Sequence, residues 1–534
     1  MKYCENLALP PGAGVVRAPL ASLTNPELKE ALMAEARIAV DAYRPIGQID
    51  RRMYGVLVEH MGRCVYTGIF EPDHPTADEH GLRQDVMGLV RELGITVARY
   101  PGGNFVSNYR WEDGIGPVAE RPTRRELAWH STEPNSFGLD EFMEWCRQAE
   151  VEPMMAINLG TRGEEDAVNI LDYTNGELGT QYSDMRRDNG HAEPYNVRMW
   201  CLGNEMDGPW QVGHKNAEDY AYLAGSTARA MKMMDQDLEL VACGSSAWEM
   251  PTFGGWERTI LDLNYDEVDY ISMHRYVDPD VQDRASFLAA GYDMDRFIDG
   301  VIATADAVGA KKRSDKKIKI SVDEWNVWRL AEWNSMEHGF ATDDWPFAPK
   351  RIEDVYTGAD ALALGGMLIS LLRHADRVKA ACIAQLVNVI APIMTEKGGR
   401  AWRQTTFYPF SIGSRIARGT AYDAVVETAR TSTERYGEVD QLDAVVTWDK
   451  ETGTGSLLAL NRSLTEPVDL SAALASLGVS RVVKAQILAP EDLDAVNTAD
   501  NPDAVAPVPH AVELSDGVLT TTLPPASWLA VELA

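Results

Sequence analysis

Short apolar runs alternate with helix-forming segments along most of this chain, and that alternation restricts the fold more than any other feature. Eight runs rich in apolar and β-branched residues recur between residues 53 and 386, and amphipathic segments separate most of them. Alternating strands and helices form a parallel sheet, and eight repeats over about 350 residues predict a closed α/β fold, a (β/α)8 TIM barrel. The predicted strands are Met53–Val58, Thr96–Tyr100, Pro153–Asn158, Val197–Leu202, Leu238–Cys243, Val268–Met273, Ile318–Val322 and Val378–Leu386.

An open, doubly wound α/β sheet is the main alternative fold. That fold usually carries a glycine-rich phosphate-binding turn after its first strand. Here the first run continues as Val58-Glu59-His60-Met61-Gly62-Arg63, which lacks that pattern. The sequence therefore favours the barrel.

The pattern changes after about residue 415, where helical segments stop and short apolar runs separated by turns continue. Such runs predict an all-β domain, a jelly-roll-like β-sandwich. The alternating segment Arg37–Arg44 predicts one more strand, which could complete that sandwich. We therefore expect residues 1–45 to form an N-terminal extension and a strand joining the sandwich, 46–412 the barrel, and 413–534 the C-terminal β-sandwich.

Charge and composition exclude several kinds of partner. The formal net charge is −31, from 81 acidic and 50 basic residues, and such a surface repels nucleic acid and anionic membranes. We find no signal peptide, and no run approaches the roughly 18 apolar residues of a membrane span. The six cysteines stand singly, as free thiols do in a reducing compartment. We expect a cytoplasmic protein that binds neither nucleic acid nor membranes.

Polar side chains follow every predicted strand, at the end where a barrel of this kind places its catalytic groups. Two of these side chains are carboxylates at the tips of apolar runs, Glu205 and Glu324. The other strand ends carry acidic, amide, hydroxyl, imidazole and guanidinium groups: Glu59, His60, Arg99, Asn104, Asn158, Asn204, Ser245, Ser246, His274, Arg275, Tyr276, Gln385 and Asn388.

A pair of carboxylates on facing walls of one pocket is the machinery of glycoside hydrolysis. Each residue also has a plainer explanation taken alone: Arg99 could neutralise a nearby glutamate, and His274 could be a buried core histidine. These plainer explanations would all have to hold at the same end of the barrel. The set as a whole therefore favours a sugar-cleaving enzyme.

Other chemistries lack their sequence signatures. The chain has no His-x-His, His-Glu-x-x-His or Cys/His cluster at metal-ligand spacing. The segment Gly244–Trp248 lacks the closing glycine of a serine nucleophile elbow, and no phosphate-binding Gly-Lys-Ser/Thr loop is present. We therefore expect acid–base catalysis with no metal and no cofactor.

From about Ile46 to Pro409 the sequence resembles glycoside hydrolase family 51, the α-L-arabinofuranosidases. The matching motifs, in order, are Tyr54–Arg63, Arg99–Phe105, Gly203–Gln211, Asp323–Trp328 and Ala384–Pro392. The resemblance implies a barrel with a β-sandwich, a frequently hexameric assembly and no metal. It also implies a retaining, exo-acting enzyme that removes terminal arabinofuranosyl units from arabino-oligosaccharides or arabinoxylan fragments by double displacement.

The resemblance further implies roles for individual positions. Glu205 matches the general acid/base, and Glu324 matches the nucleophile. A retaining mechanism requires these two carboxyl groups to lie about 5–5.5 Å apart. Substrate contacts are implied for Glu59, Asn104, Trp129, Asn204, His274, Tyr276 and Gln385.

The sequence departs from the family pattern at Arg275, where the resemblance predicts a polar amide, and in the segment Arg329–Lys350. These parts of the chain would line the outer pocket, so the resemblance leaves the linkage preference open. Two alternatives also stay open: a β-glucanase or β-xylosidase on the same barrel, and a non-catalytic carbohydrate-binding protein.

Overall fold

A computed structural model describes residues 34–337 and 344–534 of the chain. The predicted extension up to Met33 and the middle of the segment Arg329–Lys350 lie outside the described residues.

Each of the eight predicted runs supplies one strand of a barrel. The strands are β2 (Gly55–Leu57), β3 (Val97–Tyr100), β6 (Glu152–Ala156), β7 (Met199–Leu202), β8 (Glu239–Ala242), β9 (Tyr270–Val277), β10 (Lys319–Val327) and β11 (Val378–Ala384). They are all parallel and close in the order β10-β11-β2-β3-β6-β7-β8-β9. The predicted barrel is therefore confirmed.

The barrel strands are apolar on both faces because both faces are buried. Met154 and Met199 point inward and pack together in a cluster inside the barrel. Their neighbours Met155 and Trp200 belong to the larger cluster between the strands and the surrounding helices. Side chains alternate between the two faces of a strand, so one apolar run supplies both cores.

Helices follow most of the barrel strands and cover their outer faces. In the first of them, Val86, Val90 and Leu93 recur at helical spacing and are buried, and the helix ends at Gly94, whose φ of +75° suits glycine. The helices are α1 (Gln84–Leu93), α2 (Leu139–Ala149), α3 (Glu164–Asn175), α4 (Gln181–Asp188), α5 (Ala217–Met234), α6 (Gly255–Asn264), α7 (Arg284–Leu288), α8 (Ala290–Lys312), α9 (Leu330–Glu337), α10 (Gly358–Arg373) and α11 (Phe407–Ile416).

A second sheet has ten strands, nine that follow the barrel in the chain and one that precedes it. Its strands are β1 (Ala34–Gln48), β14 (Thr420–Glu427), β17 (Leu442–Asp449), β18 (Thr454–Asn461), β19 (Val468–Ala473), β20 (Val482–Leu488), β21 (Val508–Pro509), β22 (Glu513–Ser515), β23 (Val518–Leu523) and β24 (Ser527–Leu533). Their order is β21-β20-β24-β18-β17-β14-β1-β19-β23-β22. The early strand β1 thus lies inside the sheet, antiparallel to β14 and parallel to β19.

Three short hairpins complete the strands of the described residues. They pair β4 (Arg124–Glu126) with β5 (Ser131–Glu133), β12 (Ile393–Thr395) with β13 (Ala401–Arg403), and β15 (Arg430–Thr433) with β16 (Gly437–Asp440). The β4–β5 and β15–β16 hairpins both contribute side chains to the pocket described below.

The sheet domain and the barrel share part of their hydrophobic core. Along β18, Leu457 and Ala459 face a core inside the sheet domain, whereas Leu458 and Leu460 belong to the cluster of the barrel and its helices. The buried helix α10 packs closely against this outer face, because a Cβ at Gly365 would lie 2.7 Å from the Trp528 ring. Alternate side chains of β18 therefore pack into two different cores, and those on the outer face join the sheet domain to the barrel.

The described cysteines are buried free thiols: Cys64, Cys146, Cys201, Cys243 and Cys382. Within residues 34–337 and 344–534, no helix combines the length and the apolar character needed to cross a bilayer.

Candidate active site

Glu205 and Glu324 meet at the C-terminal end of the barrel. Glu324 lies near the end of β10, and Glu205 follows β7 in a left-handed backbone conformation with φ of +43°. One carboxyl oxygen of Glu205 lies within 4.8 Å of one carboxyl oxygen of Glu324. This proximity suits a retaining displacement, because an inverting one needs carboxyl groups roughly 6.5–9.5 Å apart to admit a water molecule.

Two donors orient the carboxylate of Glu324. Arg99 Nη1 donates to Oε1 at 2.8 Å, and the Tyr276 hydroxyl donates to Oε2 at 2.8 Å. The other arm of the buried Arg99 guanidinium donates to the side-chain oxygen of Asn204 at 2.7 Å. A full positive charge therefore lies against Glu324, and the same cation fixes the amide beside it.

Glu205 has a different set of partners. The Trp210 indole N–H donates to Glu205 Oε2 at 2.7 Å, and His274 Nδ1 lies 2.9 Å from Oε1. The other ring nitrogen of His274 lies 3.0 Å from Asp323 Oδ1, so each ring nitrogen lies beside a carboxyl oxygen to which it donates. Burial alone would lower the pKa of His274, but the charge of Glu324 and the bonds to Asp323 and Glu205 raise it well above its usual value. His274 is therefore a cation placed between the two glutamates.

Glu205, His274 and Glu324 also have possible ligand atoms close enough together to surround a metal ion. An imidazole that donates from both nitrogens has no lone pair to offer a metal. The chemistry of these three groups therefore suits proton transfer better than metal binding.

Glu59 is a third buried carboxyl group at the base of the pocket. Its Oε1 accepts from the Phe105 backbone N–H at 3.0 Å and from the Trp129 indole at 2.9 Å, and its Oε2 accepts from the Gln385 amide at 3.0 Å. Burial, together with the charge of Glu324, raises the pKa of Glu59 to about 7. Near neutral pH this group can therefore either accept or donate a hydrogen bond.

The loop after β3 passes between these carboxyl groups. A Cβ at Gly103 would lie 2.7 Å from Glu324 Oε1 and 3.3 Å from Glu59 Oε2. Glycine is needed there for the loop to bring Asn104 to the site, where its side-chain oxygen accepts from the Asn204 amide at 3.2 Å.

These groups form the base of a pocket of about 580 Å³. That volume is typical of small-molecule sites. Aromatic side chains form much of the wall, and their flat apolar faces suit the faces of a sugar ring. The aromatic residues are Trp129, Trp210, Tyr276, Trp328 and Trp333.

The structure brings all nine residues predicted for the site to this end of the barrel. Those that line the pocket are Glu59, Asn104, Trp129, Glu205, Tyr276, Glu324 and Gln385. Asn204 and His274 lie directly behind them and contact Asn104 and Glu205. Their roles in binding and catalysis remain predictions.

Some strand-end residues hold loops instead. The amides of Asn158 and Asn388 donate to backbone carbonyl groups of neighbouring loops. His60 lies between Glu133 and the Tyr100 hydroxyl, at 3.0 and 2.8 Å. For these three residues the plainer structural explanation holds.

Four residues of the site have no role in the sequence-based prediction. Asp323 and Trp210 stand within the motifs that carry the glutamates, and that adjacency is the signal which could have identified them. Glu249 and Arg435 line the pocket from the loop after β8 and from the β15–β16 hairpin. No motif marks either of them.

Known families and individual proteins match most of the chain. Residues 89–294 match the family described as alpha-L-arabinofuranosidase 1 domain, and residues 323–527 match the alpha-L-arabinofuranosidase C-terminal domain. The chain is 52% identical to an intracellular exo-alpha-(1->5)-L-arabinofuranosidase of Streptomyces lividans over 94% of this chain and 76% of that protein. It is 49% identical to an exo-alpha-(1->6)-L-arabinofuranosidase of Bifidobacterium longum over 94% of this chain and 98% of that protein.

A solved structure is similarly close. A family 51 alpha-L-arabinofuranosidase from Bifidobacterium longum superposes with a TM-score of 0.90 at 49% identity. The match covers 94% of this chain and 100% of that one.

Proposed function

The chain belongs to the family 51 α-L-arabinofuranosidases and is an exo-acting glycoside hydrolase, and we propose that it works by a retaining double displacement with Glu324 as nucleophile and Glu205 as general acid/base. The observation that carries this proposal is the approach of the two carboxyl groups to within 4.8 Å at the base of one pocket. The relatives do not favour a β-glucanase, a β-xylosidase or a non-catalytic sugar-binding protein.

In the first step, a carboxylate oxygen of Glu324 attacks the anomeric carbon of a terminal arabinofuranosyl unit. The bond from that carbon to the glycosidic oxygen breaks, and this oxygen takes the proton of Glu205. The products are a covalent glycosyl–enzyme ester, a free acceptor sugar and an ionised Glu205. The charge of His274 and the indole N–H of Trp210 then stabilise that new carboxylate.

In the second step, Glu205 removes a proton from a water molecule. The water oxygen attacks the anomeric carbon, and Glu324 leaves as a carboxylate that Arg99 and Tyr276 again stabilise. Two inversions give arabinose with the configuration of the substrate.

We assign the remaining contacts to the hydroxyl groups of the bound furanose ring. Glu59, Asn104 and Asn204 offer hydrogen-bonding groups at the base of the pocket, and Trp129 and Gln385 both donate to Glu59. Groups held by partners in this way stay in place while the transition state forms, so they stabilise it without reorganising.

The names of the relatives indicate the substrate class, but they do not indicate which glycosidic linkage this enzyme cleaves. Relatives at 52% and 49% identity are named for (1->5) and (1->6) linkages respectively, so overall similarity fails to separate the two. We propose arabino-oligosaccharides or arabinoxylan fragments as substrates, with linkage preference set by the outer wall of the pocket.

We also propose that the enzyme works in the cytoplasm as a homo-oligomer, a hexamer by family resemblance. The relative in Streptomyces lividans is named intracellular, and the described cysteines are free thiols. Light scattering on the purified protein tests the assembly: six chains of 59.0 kDa are expected, and a monomer would contradict the proposal.

Replacement of the nucleophile tests the mechanism. Glu324→Ala should lower turnover of aryl α-L-arabinofuranoside by more than about 10³-fold, because no covalent intermediate can form. The exposed Glu218, in the first turn of α5, offers a matched control, and Glu218→Ala should retain wild-type turnover. Circular dichroism should show both variants folded.

Two results would contradict the proposal. Near-normal activity of the folded Glu324→Ala variant would remove Glu324 from its role. Proton NMR of the first-formed arabinose should show the anomeric configuration of the substrate, and the opposite anomer would exclude the retaining mechanism.

A further inference from the structure

The sheet domain places one charged side chain, Arg435, in the wall of the barrel's pocket. Arg435 lies in the turn between β15 and β16, and the barrel holds that turn at two points. The backbone N–H of Glu434 donates to Asp283 Oδ2 at 3.3 Å, and that of Arg435 donates to the Ser286 hydroxyl at 3.0 Å. These two hydrogen bonds from the hairpin to the barrel therefore fix the position of Arg435 at the pocket wall.

Glu249 joins this arginine to a second one that belongs to the barrel. Arg435 Nη2 donates to Glu249 Oε1 at 2.9 Å, and Arg275 Nη1 donates to Glu249 Oε2 at 2.8 Å. Arg275 itself is buried and also pairs with Asp293. One carboxylate thus holds two guanidinium groups that come from different domains.

Arg435 keeps the capacity for further contacts. Its bond to Glu249 uses one nitrogen of a group that carries five N–H donors, and 36% of the side chain is exposed. Glu249 is 51% exposed and lines the same pocket. A planar cation with free donors at a pocket wall suits the hydroxyl groups of a sugar.

The order of the barrel strands shows which end of the substrate Arg435 faces. Glu249, the partner of Arg435, follows β8, which is next to the strand β7 that delivers Glu205, and Arg275 lies one strand further along, in β9. Glu59 and Gln385 follow β2 and β11, on the opposite side of the barrel. An acid must reach the glycosidic oxygen, so the leaving sugar lies on the side of Glu205.

We propose that Arg435, held by Glu249, forms an acceptor subsite and donates hydrogen bonds to the hydroxyl groups of the sugar from which arabinofuranose is cleaved. This inference rests on the proposed function and deepens it. The expected ligand is an uncharged oligosaccharide, because the carboxylates of Glu249 and Asp293 balance the charges of Arg275 and Arg435 locally. The C-terminal sheet domain then contributes directly to specificity.

The test compares two substrates that differ only in the leaving group. An aryl α-L-arabinofuranoside presents no acceptor sugar, whereas a linear α-1,5-linked arabinotriose presents two. Arg435→Ala should lower the ratio of kcat/KM for the triose to kcat/KM for the aryl substrate about tenfold, the size of one charged hydrogen bond. Glu249→Gln should lower the same ratio, because Arg435 loses the charge that orients it.

Arg430 provides a matched control on the same hairpin. It pairs with Asp440 at 2.5 Å and is exposed, so Arg430→Ala should leave the ratio within about twofold of wild type, as surface changes do. If Arg435→Ala fails to fold by circular dichroism, Arg435→Gln, which keeps most of the side-chain length, takes its place.

An unchanged ratio in a folded Arg435 variant would overturn the inference, and so would equal losses on both substrates. Failure of the proposed function gives a different result, because wild-type protein would then fail to cleave the aryl arabinofuranoside at all.

Discussion

At the base of the pocket, charge balance at single residues decides which acid holds a proton. Burial would raise the pKa of Asp323, but the positive charges of Arg99 and His274 lower it below its usual value. Glu59 is equally buried, and no cation contacts it among its hydrogen-bond partners, so its pKa rises to about 7. Asp323 therefore stays ionised and holds His274, whereas Glu59 titrates near neutral pH.

Glu59 should make the protein less stable as pH rises from mildly acidic to neutral. Its pKa is about 7 in the folded protein against an ordinary 4.5, so the folded state keeps a proton that the unfolded chain releases between those values. The free energy of unfolding then falls by about 3 kcal/mol across that window. Glu59→Gln removes this loss and should be the more stable protein at pH 7.5, as denaturant unfolding will show.

Glu126 is another buried carboxyl group with a pKa raised to about 8, in part by the charge of Glu59. It is present in both proteins, so the difference between the two curves reports Glu59 together with its effect on Glu126. Parallel pH profiles from pH 4.5 to 7.5 would show that Glu59 does not titrate as described.

The loss of kcat/KM on removing the Glu205 carboxyl group should be larger for substrates with poorer leaving groups. Glu205→Ala should lower kcat/KM on arabino-oligosaccharides by about 10²–10⁴-fold, because an alkoxide leaving group needs a proton. A nitrophenolate needs no proton, so kcat/KM on nitrophenyl α-L-arabinofuranoside should fall far less. Equal losses on both substrates would count against Glu205 as the acid.

At the scale of the element, a bulge in β10 explains how two successive acids serve one site. Ser321 pairs with Ser272 and Glu324 pairs with His274, so β10 has one residue more than β9 between these pairs. Successive side chains of a regular strand face opposite ways, and the extra residue lets both Asp323 and Glu324 turn to the barrel interior. The register also sets His274 beside Glu324.

The loop after β3 should tolerate no side chain at Gly103. In Gly103→Ala the new Cβ would lie 2.7 Å from Glu324 Oε1, so the Glu324 carboxylate must move. We expect kcat/KM on the aryl substrate to fall by at least about 10²-fold, as an ångström-scale displacement of a reacting group does.

The matched control is a glycine that has room for a methyl group. A Cβ at Gly88, in α1, would meet nothing within 4 Å, so Gly88→Ala should keep full activity and gain about 0.5–1 kcal/mol of stability from helix propensity. Retained activity in Gly103→Ala would show that the loop and Glu324 can move apart with little effect on catalysis.

At the scale of the molecule, the barrel and the sheet domain should unfold together. Leu458, Leu460 and Trp528 of the sheet belong to the same buried cluster as α10 of the barrel. Elements that share a core lose their packing at the same time, which predicts one calorimetric transition.

Trp528→Ala should lower that single transition. Trp528 is 1% exposed, and its loss should cost about 3–5 kcal/mol of the free energy of unfolding. Val483→Ala, on β20 of the same sheet, is the control, because Val483 is 44% exposed and should change stability by less than about 0.5 kcal/mol. Two separate transitions, with only one lowered by Trp528→Ala, would contradict a shared core.

The sequence alone specified the barrel strands and the residues that end them. Each strand is a local run whose apolar content follows from burial on both faces, so its pattern is visible without knowledge of its neighbours. Other strands carry no continuous apolar run: β15 and β16 are largely exposed, and the short strand β19 interleaves Val468, Leu470 and Ala472 with polar or small side chains. Strand β1 extends beyond Arg37–Arg44 to Ala34 and Gln48, because pairing continues where the apolar alternation stops.

Only the tertiary structure decided the distances and charges that make the site. Arg435 and Glu249 are 186 residues apart in the chain, and no local pattern encodes a contact between a hairpin turn and a barrel loop. The approach of Glu205 to Glu324 and the raised pKa of Glu59 likewise depend on what surrounds each group after folding. A sequence pattern records which face of an element is buried, whereas Coulomb and desolvation energies depend on separations in space that only the folded chain fixes.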